Sequence, residues 1–158
     1  MRIRLLVMDV DGTLTDGRLY IGQDGEAMKA FDVKDGYAIA HFLPEMGVVP
    51  VIITGRASKI VAHRAAELKI TELIQGAASK LPALLEVREK YGAEPGEIAY
   101  IGDDLHDLEC MEYCGFTGCP ADAAEEVKEK ADYVCGRAGG RGAVREFIEE
   151  IRRRDGVR

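Results

Sequence analysis

The chain has 158 residues and a mass of 17.3 kDa, which is the size of one ordinary domain, so we predict a single domain over residues 1–158. A hydrophobic share of 47% excludes a disordered chain, and the formal net charge of −7 argues against a nucleic-acid partner, because clustered Lys and Arg bind such partners. The apolar runs are too short to span a bilayer, and residues 1–8 lack the pattern of a secretory signal, so we expect a cytoplasmic protein with no membrane partner.

Short apolar runs alternate with amphipathic segments along the chain. Strands are predicted at residues 5–8, 48–53, 72–74, 98–101 and 133–134, with a further short one near residue 116. Helices are predicted over residues 35–46, 58–69, 79–91, 108–113, 123–130 and 144–151. This alternation is typical of an α/β, Rossmann-like fold with a mostly parallel sheet, helices on both faces and ligands at the carboxyl ends of the strands.

A different pattern lies between the first strand and the first helix. Residues 19–21 and 27–31 flank the sequence Gly22-Gln23-Asp24-Gly25, whose two glycines and Asp supply the conformations of a tight turn. We therefore predict a projecting β-hairpin within about residues 17–33.

Four short motifs occur in a fixed order along the chain. The sequence Asp9-Val10-Asp11-Gly12-Thr13 follows the first predicted strand directly and resembles the DxDGT motif that opens the haloacid dehalogenase superfamily. The later motifs of that superfamily are resembled, in order, by Thr54-Gly55-Arg56, Lys80, and Gly102-Asp103-Asp104 with Asp107. A lone DxDG also fits an Asx-rich turn, but four ordered motifs at strand or helix ends favour the resemblance.

The resemblance implies a magnesium-dependent phosphatase. A phosphate ester is anionic, so a carboxylate nucleophile needs a cation to cancel the repulsion. Asp9 is expected to attack and form an aspartyl-phosphate, while Asp11 donates a proton to the leaving oxygen and then activates water. The implied Mg²⁺ ligands are Asp9, the main-chain carbonyl of Asp11, and Asp103. Asp104 and Asp107 are expected to support these ligands without binding the ion directly.

Two further groups complete the expected catalytic set. Thr54 offers a hydroxyl donor to a phosphoryl oxygen, and Lys80 offers a fixed positive charge beside the nucleophile. Related ATPases carry Thr where this chain has Asp11, so the sequence favours a phosphatase over an ion pump.

The motifs are too close together to hold a cap domain. Neither residues 15–51 nor residues 56–80 reach the ~50 residues of a minimal domain. The chain therefore resembles the capless 3-deoxy-D-manno-octulosonate 8-phosphate phosphatases, and the sequence GGRGAVRE at residues 139–146 supports that branch. A sugar acid phosphate carries a carboxylate far from its phosphate, which calls for cations such as Arg56 and Arg64. The substrate contacts implied by the resemblance are Asp11, Asp32, Val33, Lys34, Asp35, Gly36, Gly55, Arg56, Arg64, Lys80 and Arg141.

Two alternative functions stay open. A phosphatase for a nine-carbon sialic-type sugar acid 9-phosphate shares the capless architecture, but Arg56 favours the eight-carbon substrate because some nine-carbon relatives have an acidic residue there. A non-catalytic regulatory or oligomerisation module is the other alternative. The intact Asp9, Asp11, Lys80 and Asp103 argue against it.

The predicted hairpin also bears on assembly. Leu19, Tyr20, Ile21 and Met28 expose too much apolar surface for an isolated hairpin, so we expect a homo-oligomer. The resemblance implies a homotetramer in which the hairpin of a neighbouring subunit closes each active site. Residues 139–145 are placed to add a basic contact to their own or to a neighbouring site.

Two sets of residues have no assigned chemistry. Cys110, Cys114, Cys119 and Cys135 lack the spacing of a structural zinc site, and we interpret them as thiols of the interior or of helix faces. His106 lies inside the fourth motif and receives no role from the sequence.

Overall fold

The computed structural model describes residues 2–156 and confirms the predicted α/β fold. The strands are β1 (Leu5–Met8), β2 (Tyr20–Gly22), β3 (Gly25–Met28), β4 (Val49–Ile53), β5 (Glu72–Ile74), β6 (Ile98–Ile101), β7 (Phe116–Cys119) and β8 (Tyr133–Val134). The α-helices are α1 (Val33–Tyr37), α2 (Leu43–Met46), α3 (Lys59–Glu67), α4 (Lys80–Tyr91), α5 (Leu108–Tyr113), α6 (Glu125–Lys130) and α7 (Ala143–Arg154).

Six strands form one parallel sheet in the order β5-β4-β1-β6-β7-β8. β1 and β6 are apolar and buried along their whole length, as strands covered on both faces require. Since β1 pairs with β4 on one side and with β6 on the other, a crevice opens at the carboxyl ends of these three strands. Asp9, Thr54 and Gly102 are the residues that directly follow them.

Helices cover both faces of the sheet. Leu6 and Met8 of β1 pack in one hydrophobic cluster with residues of α7, whereas Leu5 and Val7 pack in another with residues of α4, α5 and α6. Alternate residues of a strand point to opposite faces, so the two clusters lie on opposite sides of one sheet. None of the helices within the described residues is long and apolar enough to cross a membrane.

The first predicted helix is interrupted. Between α1 and α2 the chain forms a π-helical segment, Ala38–Phe42, and the Leu43 N–H donates to the carbonyl of Ala38, five residues back. The wide turn comes directly before Pro44, which has no N–H to continue the α-helical pattern. Gly47 then ends the helical stretch with a left-handed φ of 70°, a conformation that glycine adopts without strain.

The predicted hairpin is present as β2 and β3, which pair antiparallel and form a separate two-stranded sheet. Gly25 in its turn has φ 107°, a value that favours glycine. Leu19, Ile21 and Met28 are exposed, and Ile21 keeps 63% of its surface accessible. The hairpin therefore carries an uncovered apolar surface.

The four cysteines are free thiols. Cys110, Cys119 and Cys135 are buried, and Cys114 is half-buried. Burial raises the pKa of Cys110 to about 12 and that of Cys119 to about 11, so both thiols stay protonated and unreactive. This confirms their interpretation as packing residues.

Candidate active site

Three strand ends and one helix bring the predicted motif residues together. Lys80, the first residue of α4, reaches the end of β1, where its Nζ donates to Asp9 Oδ1 at 2.8 Å. The same Nζ donates to Asp107 Oδ1 at 2.7 Å. A cleft of about 250 Å³ opens beside Asp9. Its lining residues are Asp9, Asp11, Thr54, Gly55, Arg56 and His106.

Asp9 and Asp103 form a close pair of carboxylates. Burial alone would raise the pKa of Asp9, but the imidazole of His106, 3.5 Å from Oδ2, and the charge of Lys80 outweigh burial and hold this pKa at about 2. Burial and the neighbouring Asp9 raise the pKa of Asp103 to about 8. Two carboxylates this close cannot both stay ionised without a cation between them.

This pair fits a divalent cation. Asp9 Oδ2 is buried and accepts no hydrogen bond from the described residues, so a buried oxygen lacks a partner. Asp103 adds a second carboxylate, and its Oδ1 accepts a hydrogen bond from Thr13 Oγ1 at 2.9 Å, which orients it. Oxygen ligands of this kind are those that Mg²⁺ prefers. Asp9 and Asp103 therefore have the chemistry expected of metal ligands.

Asp107 lies close to Asp9 and His106, within 4.8 Å, but its oxygens are already occupied. Oδ1 accepts from Lys80 and, at 2.6 Å, from the hydroxyl of Tyr100. Oδ2 accepts from the main-chain N–H groups of residues 103 and 104 at 3.0 and 3.3 Å. Asp107 thus stands behind Asp9 and Asp103 and fixes both Lys80 and the loop that carries Asp103.

Asp104 and Tyr100 complete this support. The Asp104 carboxylate accepts a hydrogen bond from the Leu105 N–H at the start of a short 3₁₀-helix, Leu105–Asp107. Tyr100 was missed by the sequence reasoning. The signal was present, because a buried Tyr in an otherwise aliphatic strand needs a partner for its hydroxyl.

Two motif glycines are required by close packing. Gly12 has φ 92°, and a Cβ at this residue would lie 2.0 Å from Asp103 Oδ2. A Cβ at Gly102 would lie 2.3 Å from Asp107 Cγ. Any side chain at either position would displace a carboxylate of the site.

Asp11 lines the cleft and contacts the hairpin. Lys29, one residue after β3, places its Nζ 2.5 Å from Asp11 Oδ1 and 3.3 Å from Glu26 Oε2. Sequence reasoning missed this lysine. Its one signal was its place inside the apolar run at residues 27–31, where a charge needs a partner.

Comparison with known proteins supplies the family. Residues 53–148 match the model of the haloacid dehalogenase-like hydrolases. The 3-deoxy-D-manno-octulosonate 8-phosphate phosphatase KdsC of Escherichia coli K12 is 49% identical over 147 residues, which are 93% of this chain and 78% of that relative. The chain is a member of the KdsC family of haloacid dehalogenase-like hydrolases.

Solved structures of KdsC-family proteins share the fold. The 3-deoxy-D-manno-octulosonate 8-phosphate phosphatase of Moraxella catarrhalis, in complex with a magnesium ion, a phosphate ion and KDO, has a TM-score of 0.93 at 42% identity. The match covers 98% of this chain and 88% of that one. The cobalt-bound phosphatase of Haemophilus influenzae has a TM-score of 0.94 at 36% identity, covering 98% and 90%. Both relatives hold a divalent metal.

The other residues of the cleft come from the second motif and from the fourth. Thr54 is buried at the end of β4, and Gly55 and Arg56 follow it toward the mouth. The Arg56 side chain is half-exposed, with Nη2 3.8 Å from Glu26 Oε2. His106, left without a role by the sequence, lies at the cleft, and the contact of its Nε2 with Asp9 Oδ2 at 3.5 Å raises the pKa of the imidazole.

One expected substrate segment has a different place. Asp35 is buried, and its Oδ1 accepts a hydrogen bond from the Arg145 N–H in the first turn of α7, where Gly142 gives no side-chain cap. Gly36 faces Arg64, since a Cβ there would lie 2.3 Å from Arg64 Nη2. The Asp35 side chain thus supports α7 inside the fold and is not among the residues that line the cleft, so its contact with substrate stays a prediction.

The rest of that segment lies at the surface. Asp32 caps α1, its Oδ1 accepting from the N–H groups of Lys34 and Asp35 at 2.7 and 3.2 Å. Val33 and Lys34 are exposed, and Val33 keeps 79% of its surface accessible. The Arg64 side chain lines a separate cleft that Lys29 and Val33 share.

The glycine-rich segment before α7 packs on the first motif of its own chain. The Gly140 N–H donates to the Thr13 carbonyl at 3.1 Å, and a Cβ at Gly139 would lie 1.9 Å from the Gly12 carbonyl oxygen. The next residue, Arg141, is exposed. The glycines therefore hold the first-motif loop in place and leave Arg141 at the surface.

Proposed function

We propose that this chain hydrolyses 3-deoxy-D-manno-octulosonate 8-phosphate to the free sugar acid and phosphate. The observation that carries the proposal is Asp9, whose Oδ1 is bound by Lys80 while its buried Oδ2 has no hydrogen-bond partner among the described residues. An ionised carboxylate fixed in this way beside a cleft suits nucleophilic attack on a phosphate ester. The substrate follows from KdsC of Escherichia coli, at 49% identity, and from the KDO bound to the Moraxella relative.

The proposed reaction has two steps. In the first, Asp9 attacks phosphorus, the ester P–O bond breaks, and Asp11 gives its proton to the leaving sugar oxygen. In the second, Asp11 takes a proton from water, whose oxygen attacks the aspartyl-phosphate, so that phosphate leaves and Asp9 is regenerated. The low pKa of Asp9 keeps the carboxylate ionised before it attacks.

We propose Mg²⁺ as the cofactor. The groups that would hold it are the carboxylates of Asp9 and Asp103 and the main-chain carbonyl of Asp11. When bound, such an ion neutralises the negative charge that the nucleophile and the phosphoryl group bring together. The magnesium and cobalt of two relatives support a divalent metal.

The remaining cleft residues are proposed to bind substrate. Lys80 and the Thr54 hydroxyl would hold phosphoryl oxygens, and Gly55 lines the cleft next to Thr54. Arg56, half-exposed at the mouth, is placed to meet the sugar carboxylate. The following residues stay predictions for the outer part of the substrate site: Asp32, Val33, Lys34, Asp35, Gly36, Arg64 and Arg141.

Phosphate release in vitro tests this function. The chain should release phosphate from 3-deoxy-D-manno-octulosonate 8-phosphate in the presence of Mg²⁺, stop in chelator, and recover when Mg²⁺ is added back in excess. Full activity in chelator would remove the metal from the mechanism. A higher catalytic efficiency on a nine-carbon sugar acid 9-phosphate would favour that alternative substrate, and no release from any sugar acid phosphate would favour a non-catalytic module.

We also propose a single domain over residues 1–158 that assembles as a homotetramer. The two hydrophobic clusters share one sheet, which supports a single domain, and the exposed apolar side chains Leu19, Ile21 and Met28 of the hairpin support association. Sedimentation at micromolar concentration should give four times the chain mass, whereas a fully active monomer would contradict the assembly. The cytoplasmic location stays a prediction that cell fractionation tests.

A further inference from the structure

One side chain of the exposed hairpin is buried in the active site. The Lys29 side chain is 2% exposed, although Met28 beside it and Ile21 on the paired strand lie in solvent. A lysine is almost never buried unless its charge is paired. The hairpin therefore attaches to the site through a charge and leaves its apolar residues outside.

The partners of Lys29 form a continuous network. Its Nζ contacts Asp11 Oδ1 at 2.5 Å and Glu26 Oε2 at 3.3 Å. Glu26 Oε1 accepts a hydrogen bond from Ser58 Oγ at 2.5 Å, and Ser58 Oγ in turn accepts from the N–H groups of residues 60 and 61, which caps α3. The network thus joins the first turn of α3, the hairpin and Asp11.

Asp11 depends on this network for its orientation. Among residues 2–156, Lys29 is the hydrogen-bond donor to the Asp11 carboxylate, whose side chain is 21% exposed at the cleft. The carboxylate of an Asp on a loop rotates freely unless a hydrogen-bond donor fixes it. Proton transfer requires that the carboxyl group has a defined direction and distance to the leaving oxygen. A partly buried ion pair is weak evidence for stability, because desolvation offsets its attraction. The Lys29–Asp11 contact is therefore better suited to fixing the orientation of Asp11 than to stabilising the fold.

We propose that Lys29 is a positioning residue that orients Asp11 for proton transfer to the leaving sugar oxygen. This inference rests on the proposed phosphatase function and on the role of Asp11 within it. The role of Lys29 is indirect, because its side chain is 2% exposed and its Nζ is paired with Asp11 and Glu26. The hairpin thereby contributes to catalysis from its own chain, besides any closing contact in an assembly.

Two substrates of different leaving group test this role. The leaving group of a sugar acid phosphate is an alkoxide, which needs a proton from Asp11. The leaving group of p-nitrophenyl phosphate is p-nitrophenolate, a stable anion that needs no proton. In Lys29→Met, which keeps the length of the side chain without its charge, kcat/KM for the sugar substrate should fall about 10- to 100-fold. For p-nitrophenyl phosphate the fall should stay below about threefold, because no acid is required. A role in packing, or in attracting anions, would lower both rates equally and would overturn the proposal.

Two further variants sharpen the result. Lys29→Arg keeps the positive charge and should restore most of the sugar activity. The double variant Asp11→Asn with Lys29→Met should be no slower on the sugar substrate than Asp11→Asn alone, because the lysine acts through the aspartate. Additive losses would contradict the proposal. Lys130→Met, an exposed lysine of α6 paired with Glu112, is the matched control and should keep parent activity.

Failure of the inference and failure of the proposed function give different results. A parent chain that releases no phosphate from the sugar substrate contradicts the proposed function. An active parent chain with equal losses on both substrates in Lys29→Met contradicts the Lys29 role alone. If Lys29→Met does not fold, Lys29→Leu, which also removes the donor and the charge, takes its place, and the same ratio of losses decides.

Discussion

Two groups of buried charges in this chain are partnered very differently. At the carboxyl edge of the sheet, Asp107 accepts hydrogen bonds at both oxygens, from Lys80, Tyr100 and two main-chain N–H groups. Beside α7, Asp35 Oδ1 accepts from the Arg145 N–H, but among residues 2–156 its buried Oδ2 has no hydrogen-bond partner, and neither has the Nε of the nearby Arg64.

The difference shows in the pKa values. In the first group, the partners of Asp9 outweigh its burial and hold its pKa at about 2. In the second, burial outweighs the N–H donors and raises the pKa of Asp35 to about 6. A buried carboxylate therefore keeps a low pKa only where donors and positive charge outweigh its burial, as they do for Asp9. Asp103 of the same site, whose neighbour is another carboxylate, has its pKa raised to about 8.

Among substitutions in the first group, Asp9→Asn should have the largest effect on activity. An amide cannot form the acyl phosphate, so phosphate release should fall by at least about 10⁴-fold while the fold survives. Steady-state phosphate release checks the rate, and thermal unfolding checks the fold. Asp24→Asn, in the exposed turn of the hairpin, is the matched control. Activity of Asp9→Asn near the parent level would refute Asp9 as the nucleophile.

Asp11→Asn should have the next largest effect. Removing the proposed proton donor should slow hydrolysis of the sugar substrate by about 10²- to 10⁴-fold without preventing substrate binding. Single-turnover kinetics measure the chemical step directly. Unchanged single-turnover rates would show that another group moves the proton.

The first group was predictable from sequence because its signals are local. An apolar run ending in Asp9 or Thr54 marks the carboxyl end of a buried strand, and parallel strands align their carboxyl ends at one edge. Sequence order alone therefore placed the nucleophile, the Thr hydroxyl and the fourth motif together. The hairpin was equally local, because two glycines and an Asp determine its turn.

The second group was not predictable, because its contacts join distant segments. Asp35 and Arg145 are 110 residues apart, and their contact depends on how α1 and α7 pack on the same face of the sheet. The family resemblance implies substrate contacts for all of residues 32–36, and it did not distinguish Asp35, which supports α7, from the exposed Val33 and Lys34. Lys29 was missed for the same reason, since its partner Asp11 lies 18 residues earlier.

Asp35→Asn tests the second group through the pH dependence of the free energy of unfolding. Because the folded pKa of Asp35 is raised from 3.8 to about 6, the folded state holds this proton more tightly than the unfolded chain, so its contribution to stability is present below pH 3.8 and is lost as the pH rises through about 6. The variant has no charge to bury. Its free energy of unfolding, relative to the parent, should therefore rise by about 1–3 kcal/mol between pH 4 and pH 7.5. Urea unfolding at both pH values measures this, and a difference that does not change with pH would contradict it.

The smallest expected effect comes from removing one partner of Asp107 by Tyr100→Phe. Burial raises the pKa of Tyr100 well above its usual value, so its hydroxyl stays a donor, and it donates to Asp107 Oδ1 at 2.6 Å. Lys80 still donates to that oxygen in the variant, so the loss should be limited to about 0.5–1.5 kcal/mol in the free energy of unfolding. Tyr133→Phe is the matched control, because its half-buried hydroxyl donates to Glu146 Oε1 at 3.0 Å, where water can take its place, and it should cost less. Urea unfolding measures both losses. Equal losses in the two variants would mean that the buried hydrogen bond to Asp107 contributes no more to stability than the half-buried hydrogen bond to Glu146.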